Sequence, residues 1–308
     1  MNNLNIIATA LLSLIITTSY GQINIQDSTA QVLSYWYLGD QYDYEVSMQK
    51  LQISEADTLS NETFTYDVNV SVIDSTENSY TVRWHYKNYN SDSDNPVIQK
   101  IISTSEDIKV DIITDELGII ESIANWEEVR DYMIASFDSL KTEIAHLPGM
   151  EAFIEQNKSI YATEESIEAA AIQDAQQFHN FHGVQFKLND TILVETLSPN
   201  VYYNDKPFDT DIVIILEDID TTHNEIIIRS ITEVDSEQLT ETTFNYLAEM
   251  SKKLGTPMVN KDEFDNLHND VETVSLIHMS GWVIESKLWK EVYADGITQM
   301  EIRIITMK

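Results

Sequence analysis

The chain is short of several residue types, and each shortage removes a class of protein. It has no cysteine, so neither a disulfide framework nor a lipid-bearing cysteine anchor is available to it. Its 8 glycines and 5 prolines leave few of the tight turns that cradle phosphate groups. Only 18 lysines and arginines stand against 52 aspartates and glutamates, and the formal net charge is -34. We therefore expect no nucleic-acid partner, because this charge repels a phosphate backbone.

The first residues, MNNLNIIATALLSLIITTSYGQ, carry an apolar run from Ile6 to Ile16. The run is too short to span a bilayer, and Ser19 and Gly21 supply small side chains before a cleavage point. The pattern predicts a signal peptide at residues 1–21, cut before Gln22, and export to the periplasm or the outside without a membrane anchor. Because no lysine or arginine precedes the run, a buried or anchoring N-terminal segment is the alternative interpretation.

Alternating apolar and polar residues predict strands in the first part of the chain. The stretch FTYDVNVSV from Phe64 alternates strictly, as do Tyr42–Met48 and Tyr80–Tyr86, and the turn formers DSTENS predict a hairpin between the last two. Further strands are predicted at 97–103 and 108–114, with a hairpin through DELG to IIES. Such alternation is typical of an antiparallel sheet with one wet face and one buried face.

Helices are predicted at 125–145, 163–181, 235–254 and 262–268. Asn125 is the expected N-cap of the first helix, Asp235 with Gln238 resembles a capping box, and Gly255 closes the third. The second half otherwise consists of strands, and the runs TILVETL, DIVIILEDI and NEIIIRSITEV predict burial on both faces.

These elements predict an α+β fold that is mainly antiparallel sheet, with amphipathic helices packed on one face. We expect a first β unit at 22–124, a helical segment at 125–182 and a second β unit at 183–308; a single domain is the alternative.

Two pairs of similar segments occur in the same order in the two halves. DSTENSYTVR (Asp74–Arg83) is similar to DTTHNEIIIR (Asp220–Arg229), and GIIESIANWEEV (Gly118–Val129) is similar to GWVIESKLWKEV (Gly281–Val292). The conserved order favours an internal duplication. Two unrelated hairpins with ordinary turn chemistry are the alternative.

Residues that carry chemistry are sparse. His179 and His182 are three apart, but no third ligand lies near them in the sequence, and the loop SDSDN lacks the glycine and distal glutamate of a calcium loop. Neither G-x-S-x-G nor a nucleophilic cysteine is present. We predict a non-enzyme with no metal site and no cofactor.

Large aromatic residues cluster on the first predicted strands. They serve either as core or as the wall of a ligand site on a concave sheet face, since tyrosine and tryptophan combine contact area with a polar group. The predicted ligand-binding residues are Tyr42, Tyr44, Tyr66, Trp84 and Tyr86. The resulting hypothesis is an exported binding protein for a lipid-like or other apolar small molecule. The alternative is an envelope or extracellular interaction module whose acidic surface binds a basic protein partner.

The opening strands YWYLGDQYDYEV and the closing segment GWVIESKLWKEVYADGITQMEIRI resemble those of exported proteins of Gram-negative bacteria whose function is uncharacterised. The arrangement of many antiparallel strands with helices on one face is also similar to the half-barrel of periplasmic lipoprotein carriers. That resemblance implies a hydrophobic cavity between sheet and helices.

Overall fold

A computed structural model of the chain describes residues 22–54, 57–93, 95–200, 203, 206–254, 260–261, 266–294 and 296–308. The strands are β1 Ile23–Asn24, β2 Thr29–Gln31, β3 Gln41–Ser54, β4 Asp57–Ser75, β5 Ser79–Ser91, β6 Lys109–Asp115, β7 Ile120–Ile123, β8 Gln185–Lys187, β9 Thr191–Ser198, β10 Phe208–Asp220, β11 Glu225–Val234, β12 His268–His278, β13 Val283–Ala294 and β14 Ile297–Met307. The helices are α1 Pro96–Ile102, α2 Trp126–Ile144, α3 Met150–Ile160, α4 Glu164–Ala170, α5 Gln173–His179 and α6 Ser236–Leu254, and a 3-10 turn covers Ser103–Ser105.

One 11-stranded sheet organises the molecule, in the order β7-β6-β5-β4-β3-β14-β13-β12-β11-β10-β9. Every neighbouring pair in it is antiparallel. The last strand, β14, lies between β3 and β13 and so joins the first half of the sheet (β3–β7) to the second half (β9–β13). A separate three-stranded sheet, β1-β2-β8, packs near one end. The α+β class and the predicted β4–β5 hairpin are confirmed.

The large sheet has an inner face, on which α2 and α5 pack, and an opposite outer face. On the inner face, alternate residues of β4 such as Val68 and Val70 are fully buried, because they point towards the helices. Helix α2 contributes buried side chains at steps of three and four residues, from Val129 to Ile144. The core is therefore a layer between the helices and the first half of the sheet.

The predicted strand at 97–103 is wrong, because this segment forms α1. Pro96 occupies the first helical position, where its missing N–H costs nothing, and the Asn95 side chain accepts a hydrogen bond from the Val97 amide at 2.9 Å. This local cap outweighs the strand preference of the β-branched residues that follow.

The helical segment also differs from the prediction. The helix predicted at 163–181 is two helices, α4 and α5, that break at Ala171 and Ile172, and α3 precedes them without having been predicted. Thr163 and Ser166 form a reciprocal capping box at the start of α4. Asn125 does not cap α2: its side chain bonds to the backbone of β6, accepting from Asp111 N at 2.8 Å and donating to Lys109 O at 3.0 Å.

Burial on both faces is wrong for all three predicted runs, since β10 and β11 bury side chains on one face only and β9 buries none fully. This strand lies at the edge of the sheet, where Leu193 and Leu197 are 59% and 60% exposed. Gly255 and most of the short helix predicted at 262–268 lie outside the described residues, as does the whole predicted signal peptide; His268 opens β12. Among the described helices, none has an apolar stretch long enough to cross a membrane.

Candidate functional site

The five predicted site residues share the inner face of β3–β5 but have different surroundings. Tyr44 and Trp84 are fully buried and pack edge-on against Phe178 of α5, at ring distances of 5.8 and 5.4 Å. The Tyr44 hydroxyl also donates to Val283 O at 2.9 Å. Tyr42 is 41% exposed and lies against Trp282. The space above Tyr44 and Trp84 is thus occupied by protein, whereas Tyr66 and Tyr86 line a cavity.

This helix cavity lies between strands β3 to β6 and β14 on one side and helices α2, α4 and α5 on the other. It has a volume of about 250 Å³ and is lined by four tyrosines, by apolar side chains and by the polar groups of Lys50, Gln173, Asp174, Glu301 and Arg303. The tyrosines are Tyr66, Tyr86, Tyr89 and Tyr161. Burial raises the pKa of Tyr66, Tyr86 and Tyr89 well above the usual range and that of Tyr161 to about 12. Their hydroxyls are therefore neutral groups that donate as well as accept hydrogen bonds.

A buried arginine closes one side of the helix cavity. Arg303 of β14 is only 5% exposed, and its Nε lies 3.4 Å from Oδ1 of Asp174 in α5. Its Nη2 donates to Gln173 Oε1 at 2.6 Å and to Glu301 Oε1 at 2.5 Å, but its buried Nε makes no hydrogen bond among the described residues. The Tyr66 hydroxyl donates to Asp174 Oδ2 at 2.7 Å. Arg303 thus has a buried donor without an acceptor.

Two kinds of effect act in opposite directions on the pKa of the Asp174 carboxyl. Burial raises its pKa, and the Arg303 charge and the Tyr66 hydrogen bond act against that rise. Removing either partner would leave a carboxylate in the protein interior with fewer compensating contacts.

The inner face of the second half of the sheet is not covered in the same way. A sheet groove of about 480 Å³ lies there, between α5 and strands β10 to β14. Its apolar wall is formed by Ile212, Ile214, Val271 and Leu288, and its hydroxyl groups come from Ser230, Thr232 and Thr273. Gln173, Glu301 and Arg303 line both the sheet groove and the helix cavity. The two spaces therefore meet at Arg303.

Two lysines extend this positive charge. Lys290 and Lys50 are the cross-strand neighbours of Glu301 on either side, and all three residues line a further cavity of about 340 Å³. In the described part of the chain neither ammonium group lies within ion-pair distance of a carboxylate. Three of only 18 basic residues therefore converge on one place in a strongly acidic protein.

The sequence prediction missed Arg303, Lys290 and Lys50. Their position in the strand alternation was the available signal. A cation that alternates onto the same face as apolar residues such as Ile305 points towards the buried side of the sheet.

His179 and His182 have a structural role in this arrangement. Nδ1 of His179 donates to the carbonyl of Gly118 at 2.8 Å, and Nε2 of His182 donates to that of Gly281 at 2.9 Å. Burial lowers the pKa of His179 well below its usual range and that of His182 to about 4, so both rings are neutral. No group of three His, Asp or Glu residues in the described ranges has the geometry of a metal site. In the loop SDSDN, Asp92 accepts a hydrogen bond from Thr63 N at 2.9 Å, and Asp94 lies outside the described residues.

The two glycines held by the histidines open the second pair of similar segments. Gly118 and Gly281 both have positive φ, +95° and +83°, and a Cβ would lie 2.1 Å from Ser34 Oγ at the first and 2.6 Å from Leu33 O at the second. The residues that follow differ, because 120–123 form a short strand before α2, whereas 283–294 form one continuous strand. Internal duplication stays a prediction.

No protein-family model matches the chain, and a search of curated proteins finds no match. Among solved structures, the chain is similar to lipovitellin, in a structure of lipid–protein interactions in that protein, with a TM-score of 0.40 and 11% sequence identity. The match covers 88% of this chain and 25% of that one, so the chain spans a quarter of the length of lipovitellin. At this TM-score the similarity says nothing about function.

Proposed function

We propose that the protein is an exported binding protein for a lipid-like ligand with an acidic head group, and that it has no catalytic activity. The head group interacts with Arg303 and the two neighbouring lysines, and the apolar chain lies along the sheet groove. The observation that carries the proposal is the unfilled groove that ends at the positive charges of Arg303 and Lys290. Export rests on the signal-peptide pattern of residues 1–21.

The size and chemistry of the groove support a small amphipathic ligand. Its volume, about 480 Å³, falls in the range of ligand pockets, which is roughly 300–1,000 Å³. Aliphatic side chains on β10, β12 and β13 offer contact to a hydrocarbon chain, and hydroxyl and amide groups fix its orientation.

Electrostatics favours an anionic head group at this place. Elsewhere the acidic surface repels anions, but Lys290, Arg303 and Glu301 give the lining of the sheet groove one net positive charge. A carboxylate or phosphate in the sheet groove lies beside Arg303 and Lys290, and charge-assisted hydrogen bonds to such cations are the strong ones.

The test is binding of palmitate and of hexadecanol, the uncharged alcohol of the same chain length, to the purified protein, followed by native mass spectrometry and by displacement of a fluorescent fatty acid. We expect palmitate to bind more tightly than the alcohol. Lys290→Glu reverses a charge on the exposed residue beside Glu301 at the groove, leaves Arg303 and Asp174 in place, and should weaken palmitate binding by about tenfold or more. Lys187→Glu makes the same charge change on β8, away from the groove, and is the matched control.

A steric variant tests the tail. Thr232→Trp places an indole in the sheet groove and should abolish binding of both compounds, because it fills the space beside Ile212. Absence of palmitate binding to the wild type, or an equal loss in Lys290→Glu and Lys187→Glu, would overturn the proposal.

A further inference from the structure

The outer face of the second half of the sheet is an apolar field. Its side chains come from five adjacent strands and stand on the face opposite α5: Val213 and Ile215, Ile227 and Ile231, Val274 and Leu276, Trp289, and Ile302 and Ile304. All of them are half-buried, because neighbouring side chains on the same face of the sheet cover part of each one. Leu193 of the edge strand continues the field and is 59% exposed. None of the nine half-buried side chains belongs to the buried core. Helix α6 begins beside this face, where Ser236 lines a cavity of about 350 Å³ with Asp211, Glu233 and Asp270.

The charges inside the apolar field are paired with one another. Arg229 forms ion pairs with Glu217 and Glu272, and Lys287 pairs with Glu285 at 2.8 Å. These two cations and three carboxylates leave one net negative charge in a field that is otherwise apolar, unlike the outer face of the first half, where residues such as Asp67, Asn69 and His85 are polar.

A row of carboxylates borders the field on the same face. Asp211 pairs in register with Glu195 and Glu233, Glu233 with Asp270, and Asp270 with Glu291, so five acidic side chains stand side by side on five consecutive strands. No described cation lies within ion-pair distance of any of them. Like charges directly opposite each other destabilise a sheet, and a basic partner would remove this cost.

We propose that the apolar field and the acidic row together form a docking surface for an amphipathic helix of another protein, with a basic stripe beside its apolar stripe. Strands lie about 4.8 Å apart, so five carboxylates span roughly 19 Å across the sheet. A helix rises about 5.4 Å per turn, so one that crosses the strands presents one lysine or arginine per turn over about four turns.

The direction of the row and its charge argue against other occupants of the docking surface. A strand added at the edge would run along β9 and reach Glu195 alone, whereas the row runs across the strands. A second copy of this chain would bring its own net charge of -34 against the row. An anionic membrane is repelled for the same reason. The docking surface lies on the opposite face from the sheet groove, and its test is independent of ligand binding.

The experiment uses a fluorescently labelled 14-residue helical peptide of leucine and lysine with the two residue types on opposite faces, and a scrambled peptide of equal composition. Binding to the purified protein is followed by fluorescence anisotropy at low and high salt. We expect the amphipathic peptide to bind in a salt-sensitive manner, and the scrambled peptide about tenfold or more weakly.

Neutralising the row in Glu195→Gln/Asp211→Asn/Glu233→Gln/Asp270→Asn/Glu291→Gln should reduce affinity by about tenfold or more. The matched control removes five carboxylates of the first half that form no ion pair among the described residues: Glu77→Gln/Glu116→Gln/Glu121→Gln/Glu127→Gln/Glu128→Gln. Because both variants change net charge equally, a selective loss reports the row itself. Trp289→Ala removes a half-buried indole from the apolar field on the outer face and should also weaken binding.

Equal losses in the two charge variants, or equal binding of the scrambled peptide, would reduce the effect to bulk charge and overturn the proposal. A dimer in light scattering that Trp289→Ala dissociates would assign the field to self-association, and binding to phosphatidylglycerol vesicles that Trp289→Ala abolishes would assign it to a membrane. Each of these results would also contradict the proposal.

Discussion

The two halves of the large sheet use their faces in opposite ways. In the first half helices cover the inner face and the outer face is polar. In the second half the inner face is buried at one end, at residues such as Ile228 and Ile277, and carries hydroxyl groups and an unfilled groove at the other, while the outer face is apolar beside the acidic row. Alternation of apolar and polar residues along a strand therefore indicates that its two faces differ in polarity. Which face is buried in the core depends on the layer that packs on each side.

The difference follows from where the helices lie in the chain. α2 to α5 all follow β7 directly, and α2 and α4 contact β6 and β7, whereas α5 also reaches β13 through Gln177 and Ser286. The second half has one long helix, α6, which begins at the end of β11 and is tied to the end of β10 through Gln238 and Asp209. The inner face of the second half is therefore covered in part by α5, and the sheet groove stays open beside it.

Truncation of a large side chain should give the largest difference in stability loss between the two halves. Phe178→Ala removes a fully buried ring from the packing of Tyr44 and Trp84, and should lower the free energy of unfolding by about 3–5 kcal/mol. Leu288→Ala, in the half-buried wall of the groove, should cost about 1 kcal/mol. Urea denaturation measures both, and similar losses would show that the groove wall is as well packed as the core.

Acid should weaken the connection between the halves at the histidine pair. The folded pKa of His182, about 4, lies below its ordinary value of 6.5, so the unfolded chain takes up the proton first as the pH falls. The contribution of His182 to the free energy of unfolding is complete above pH 6.5. It is about 3 kcal/mol and is lost as the pH falls from 6.5 to about 4.

The measurement is urea denaturation of the wild type and His182→Gln at pH 7.5, 6.0 and 5.0. The wild type should lose more stability than the variant over this range, because carboxylates titrate alike in both. Parallel pH curves would contradict the prediction.

Polar contacts on the inner face of the second half should matter at an intermediate level. The fully buried Ser286 hydroxyl contacts Gln177 Nε2 at 3.0 Å and Ser275 Oγ at 2.8 Å. Ser286→Ala should lower the free energy of unfolding by about 1–2 kcal/mol, since buried partners lose their hydrogen bonds. Ser71→Ala, on the outer face of the first half, should change it by less than about 0.5 kcal/mol. A reversed order would mean that the polar inner face adds no stability.

The smallest effects are expected at the two arginines that end the first pair of similar segments. Arg83 forms a two-pronged pair with Asp111, both bonds at 2.7 Å, and Arg229 bridges two half-buried glutamates. Arg83→Ala should cost about 1 kcal/mol because it leaves the buried Asp111 carboxylate unpaired, and Arg229→Ala should cost less, as surface pairs do. The same urea titrations measure this difference, and a larger loss in Arg229→Ala would contradict it.

Local patterns predicted the elements but not their partners. The alternation of β3 to β5 and the three- and four-residue steps of α2 could be recognised from the sequence, whereas α1 could not, because the Asn95 cap overrides a strand-like run. Placing Tyr44 and Trp84 on one face was possible, but whether a helix or a ligand covers them depends on how α5 docks through Phe178.

The candidate sites depend still more on tertiary structure. Arg303 approaches Asp174 only because β14 lies beside β3 beneath α5. The acidic row is invisible in any single strand, since each contributes one carboxylate, and it emerges only from the register of five strands.

The position of β14 also has a consequence for how the chain folds. Tyr44 near the start of the sheet pairs with Met307, which is far from it in the sequence. Until that strand docks, the inward edges of β3 and β13 have no hydrogen-bonding partner, and such open edges recruit other chains. Joining residues so distant in sequence is also slow. The pairing of β14 is therefore the folding step at which this sheet is most open to association with other chains.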